Sequence, residues 1–147
     1  MKKFLIVASL VVAGCTEMGM QVEPVPVDGA VAASGAAPPP PPTARSVEDF
    51  DTTTDAQRVA AASPTTGGTL LGTTVASLGD ATEPGFWIRT PLAKAVGTGR
   101  LVYPETGKSV EVELRPTESG SSRVSLAALR VLQAPLTGLP MLEVYAK

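Results

Sequence analysis

Histidine is absent from all 147 residues, and cysteine occurs once, at Cys15. Without an imidazole and with one thiol, Ser-His-Asp triads, Cys-His nucleophiles and His/Cys zinc sites lack their essential parts. A lone cysteine also forms no disulfide within the chain. Aromatic residues are scarce, at three Phe, two Tyr and one Trp, so a core must be built mainly from Val, Leu and Ala. Charge leans weakly acidic, with 12 basic and 14 acidic side chains, and no basic stripe marks a nucleic-acid partner. No apolar run reaches the about 20 residues of a bilayer-spanning helix. Neither Gly67-Gly68 nor Gly97-x-Gly99 is followed by the Lys-Ser/Thr pair or the strand-to-helix turn of a phosphate loop. No cofactor is implied.

What is present begins with an address. Lys2 and Lys3 precede an apolar stretch from Phe4 to Val12, the charged and hydrophobic regions of a signal peptide spanning residues 1–14. Val12-Ala13-Gly14-Cys15 resembles the lipobox of bacterial lipoproteins. The resemblance implies cleavage before Cys15, a diacylglycerol thioether on its sulfur and an acyl chain (such as palmitate) on the new amino terminus. Lipidation at Cys15 would anchor the protein stably to a membrane, since two or more acyl chains hold where one is marginal. The alternative is an ordinary secretory signal with an incidental cysteine. Thr16 follows where many inner-membrane lipoproteins carry aspartate, so the resemblance favours the outer membrane, facing the periplasm.

Residues 15–46 read as a disordered tether rich in Pro, Ala and Val, with five consecutive prolines from Pro38 to Pro42. Such a run favours an extended polyproline II rod. At about 3.1 Å per residue, some thirty residues reach on the order of 90 Å. Residues 47–68 hold one short helix candidate, Val47 to Ala62, capped by Thr54 and either docked through Phe50 and Val59 or disordered, followed by a linker. The tether is acidic. Residues 16–66 contain seven acids and two arginines, whereas 67–147 contain seven acids and eight bases.

The remaining residues, 69–147, read as a small β-rich domain organised around a hairpin. In Gly99 to Leu114, Val110, Val112 and Leu114 alternate with Glu111 and Glu113, the period of a strand with one buried and one wet face. Leu101 and Tyr103 share a face on the preceding strand. Pro104-Glu105-Thr106-Gly107 supplies a four-residue turn. Thr69 to Leu78, Phe86 to Arg89 and Leu142 to Tyr145 read as further strands, and Arg115 to Ser122 as a polar loop. Ser125 is placed to cap a helix over Leu126 to Leu132, with Leu126, Leu129 and Leu132 on one face.

That order resembles the barrel of the rare lipoprotein A family. The matching stretches are T-P-L at 90–92, G-x-L-V with T-G-K-S-V-x-V-x-L at 99–114, V-S-L-A-A-L-R-V-L at 124–132 and L-E-V-Y at 142–145. The resemblance implies a mostly β fold: a small double-psi-like β-barrel, complete or incomplete, with one short covering helix. A second stretch, L-G-T-T-V-A-S-L-G-D-A-T-E-P-G-F-W at 71–87, resembles small bacterial lipoproteins of unknown role, some labelled galactarate dehydratase. Such dehydratases are large metal-dependent enzymes, and residues 69–147 could hold almost nothing of one.

Family members that cleave peptidoglycan carry an Asn-Asp pair after the second hairpin strand, with the aspartate as general acid. Here Arg115 and Pro116 stand in that place. The substitutes on offer are Glu118 and Asp80, each of which also reads as a solvated turn acid. Trp87, with Arg89 and Arg115, forms the candidate ligand-binding set. An exposed indole could stack on a sugar ring, although core packing suits a tryptophan in so aromatic-poor a domain. The expected function is non-enzymatic: a membrane-tethered barrel binding peptidoglycan or an envelope protein. The alternative is a lytic transglycosylase with an altered acid.

Overall fold

A computed structural model describes residues 37–62 and 67–147. Cys15, the expected signal peptide and most of the expected tether lie outside the described residues. Six strands form in chain order: β1 (Thr69–Leu78), β2 (Trp87–Thr90), β3 (Gly97–Tyr103), β4 (Lys108–Pro116), β5 (Ser122–Val124) and β6 (Met141–Ala146). They close into a barrel in the order β1-β5-β2-β4-β3-β6. β1 with β5 and β2 with β4 are parallel pairs; the other four are antiparallel. The protein is therefore mostly β, and its barrel is complete. Closure gives every strand a neighbour on both sides, although the short β5 meets only Ala76 to Leu78 of β1.

The hairpin of β3 and β4 forms as its alternation dictates. Tyr103 carbonyl oxygen accepts from the N–H groups of Thr106 at 3.2 Å and Gly107 at 2.9 Å, and Gly107 takes a φ of 67°. Leu101 pairs with Val110 across the ladder, and both are buried with Val112, Leu114 and Tyr103. Gly99 is required by packing, because a Cβ there would strike Tyr145 carbonyl oxygen and the Leu114 side chain. On β1 the register against β6 slips between Leu70 and Gly72, where Gly72 has a φ of 147°. This bulge bends the strand into the closing barrel.

Over one end of the barrel lies α3 (Leu126–Leu132). Ser125 caps it by accepting from Ala128 N–H at 3.3 Å and also accepts from Trp87 N–H at 3.1 Å. Leu126, Leu129 and Leu132 are all buried, as their spacing requires. Gln133 leaves the helix in the left-handed region, and Thr106 Oγ1 donates to Leu132 carbonyl oxygen at 2.8 Å, tying helix to hairpin.

Three findings depart from expectation here. The stretch expected as a polar loop, Arg115 to Ser122, is shorter: β4 continues through Pro116 and β5 starts at Ser122. A three-residue strand carries too little periodicity to be read. The expected single helix is two, α1 (Val47–Phe50) and α2 (Asp55–Ala62). Each has its own capping box, Ser46 with Asp49 and Thr54 with Gln57, so the chain starts twice. Val59 does not dock. It is 70% exposed, while Ala61 and Asp51 are buried instead and Phe50 lines a shallow crevice with Pro84 and Leu126. The chain ahead of α1 also touches this arm: Ala37 is buried, and Pro38 carbonyl oxygen accepts from Thr52 Oγ1 at 2.5 Å.

Candidate functional site

Alternation on β2 turns Ile88 and Thr90 into the barrel and Trp87 and Arg89 outward. The parallel register sets Arg89 beside Arg115 of β4. The structure thus brings Trp87, Arg89 and Arg115 together on one outer face. Their guanidinium carbons lie 4.9 Å (Arg89) and 5.2 Å (Arg115) from the indole centroid. Gly79 presses against the far edge of the ring, where a Cβ could not fit. The indole N–H donates to Glu83 carbonyl oxygen at 3.3 Å.

Trp87 is consequently only 1% exposed. Of the two readings of Trp87, burial favours packing over the sugar platform, since a ring so covered offers no face to a pyranose. Packing wins because the two arginines gain cation–π contact by lying on the indole.

Glu83 ties the cluster. Its carboxylate accepts from Arg89 Nη2 at 2.8 and 2.9 Å and also from Arg115 Nη1. Arg115 Nη2 donates to Glu113 at 3.1 Å. Burial pushes the Arg115 pKa down, but the hydrogen bonds and charges of Glu113 and Glu83 outweigh it and hold the group above its ordinary value. Sequence reading missed Glu83, whose only signal was its place in the Asp80–Gly85 turn, where an acid looks like a solvated turn residue.

The two candidate acids fall in different surroundings. Asp80 accepts from Thr82 Oγ1 at 2.6 Å and Thr82 N–H at 2.8 Å. These bonds, with the nearby charge of Arg89, hold its carboxyl below the ordinary range. A general acid needs the opposite shift. Glu118 is exposed in the short Thr117–Ser121 loop. Among the described residues the buried acid is Asp51, and its side chain is held by Arg130 at 2.6 Å and Arg58 at 3.5 Å. The two guanidinium groups on it make Asp51 an anchor between the arm and α3.

Inside the barrel, Ser122 Oγ donates to Thr90 Oγ1 at 2.9 Å and lies 2.7 Å from Thr74 Oγ1. This chain of hydroxyls joins β1, β5 and β2 and satisfies buried polar groups that would otherwise destabilise the core. Comparison with models of known families, with curated proteins and with solved structures gives no match to this chain.

Proposed function

We propose that this chain is a lipid-anchored envelope protein whose small barrel binds a glycan or protein partner in the periplasm without cleaving it. The lipobox ending at Cys15 and the proline-rich stretch behind it support the anchor and spacer. The resemblance to rare lipoprotein A barrels is supported by the closed six-stranded barrel and its covering helix. One observation carries the non-catalytic reading. Where the resemblance calls for a general acid after the second hairpin strand, the chain places Arg115, paired with Glu83 and Glu113, and Asp80 nearby has its pKa shifted the wrong way for an acid.

The test is to incubate the purified mature chain with isolated peptidoglycan and look for anhydro-muropeptides. The expected result is no product, with the glycan or an envelope protein retained on pull-down. Product that disappears in Glu118→Gln or Asp80→Asn would replace this reading with that of a lytic transglycosylase. Cys15→Ser should release the protein from membranes or leave it unprocessed.

A further inference from the structure

The outer face of the barrel carries three arginines in one register row. Arg123 of β5 pairs with Arg89 of β2, and Arg89 pairs with Arg115 of β4. Side chains directly opposite on antiparallel strands, as Arg89 and Arg123 are, stand about 4.5–5.5 Å apart at Cβ, and like charges so placed repel. The fold offsets one of the two gaps: Glu83 bridges Arg89 and Arg115, and Glu113 takes a second nitrogen of Arg115.

The gap between Arg89 and Arg123 has no such acid. Arg123 is exposed and forms no ion pair with a described residue. Arg89, its side chain 41% exposed, meets Glu83 through Nη2. Asp80 lies close enough to feel the charge of Arg89, but it forms no ion pair with a described residue, and both Thr82 bonds fall on its Oδ1. On the other side of Arg123, Ser77 of β1 adds a hydroxyl-bearing residue to the row.

We propose that the Arg89–Arg123 gap is a binding site for an oxyanion group of the partner. A planar carboxylate or a phosphate would sit between the two guanidinium groups as Glu83 sits between Arg89 and Arg115. Guanidinium forks engage such groups through paired N–H bonds. The site rests on the reading of the barrel as a glycan- or protein-binding module, and names the chemistry by which it holds on. Carboxylate and phosphate share that chemistry, and the test separates them.

The full mature chain, in a non-ionic detergent, is titrated with citrate, with pyrophosphate and with soluble muropeptides, following the arginine side-chain N–H resonances. Saturable shifts centred on Arg89 and Arg123, weakened at least tenfold in Arg123→Gln and less in Arg123→Lys, are expected. An unchanged melting temperature in both variants shows that the loss is of binding rather than of fold. Response to citrate and muropeptides identifies a carboxylate ligand; response to pyrophosphate alone identifies a phosphate. No saturation with any probe, or equal affinity in Arg123→Gln, overturns the site. Capture on peptidoglycan or an envelope protein that persists in Arg123→Gln also overturns it while leaving the binding module intact. Saturable binding of citrate without capture of either partner supports the site and removes the module reading.

Discussion

Arg130 on α3 donates through Nη1 to the Asp51 carboxylate at 2.6 Å, joining points 79 residues apart in the chain. The acid side chain is 0% exposed and the arginine 32%. Thr53 N–H adds a bond at 3.2 Å and Arg58 a second cation. This clasp holds the arm of α1 and α2 against the covering helix of the barrel.

Neutralising the clasp should therefore loosen the arm. Removing one partner of a fully buried pair costs about 3–5 kcal/mol. Arg130 can turn to water, so Asp51→Asn should cost less, about 1.5–3 kcal/mol, the range of hydrogen bonds to charged groups. Urea unfolding measures it. An unchanged midpoint would mean that the arm is held by its apolar contacts alone.

Among the described residues, all six strands lie at or beyond Thr69. A chain beginning at Gly67 should accordingly keep a cooperative thermal transition, at a lower temperature than one beginning at Ala37. The lost contacts are those of Asp51 and Ala61. Melting without cooperativity would make the arm part of the core.

Val112 points into the barrel and is buried, whereas Glu111, one residue away, meets Lys147 at 2.6 Å on the wet face. Val112→Asp would bury an unpaired charge at a cost of several kcal/mol, enough to unfold a domain of marginal stability. Glu111→Ala removes a partly exposed ion pair and should cost under about 1 kcal/mol. Circular dichroism of the two variants separates them. A folded Val112→Asp protein would contradict the register of β4.

Asp80 gives a pH signature. The hydroxyl and N–H of Thr82 hold its folded pKa below the ordinary 3.8. Because folding lowers the pKa, the ionised acid stabilises the fold above 3.8, and that contribution disappears as pH falls through the lowered value. Asp80→Asn should thus be less stable than wild type at neutral pH, and the difference should shrink as pH drops past 3.8. Chemical denaturation at stepped pH checks this. A difference that grows on acidification would reverse the assigned sign.

The sequence by itself determined the local elements. Alternation at Val110, Val112 and Leu114 set the inner face of β4. Ser125 and the three leucines after it set α3, and the Pro104–Gly107 turn set the hairpin. Each is a short-range consequence of side-chain period, capping or backbone preference, which act between residues a few positions apart. Tertiary structure decided the rest. β5 exists because Ser122 and Val124 find β1 and β2, neighbours distant in sequence. Trp87, Arg89 and Arg115 are read from the sequence as one ligand-binding set, yet Glu83, absent from that set, locks them into a cluster whose indole faces no solvent. Asp51 looks like one more acid in an acidic stretch until α3 places Arg130 against it. Ion pairing and burial depend on which distant segments meet, and strand order around a closed barrel leaves no short-range trace in the chain.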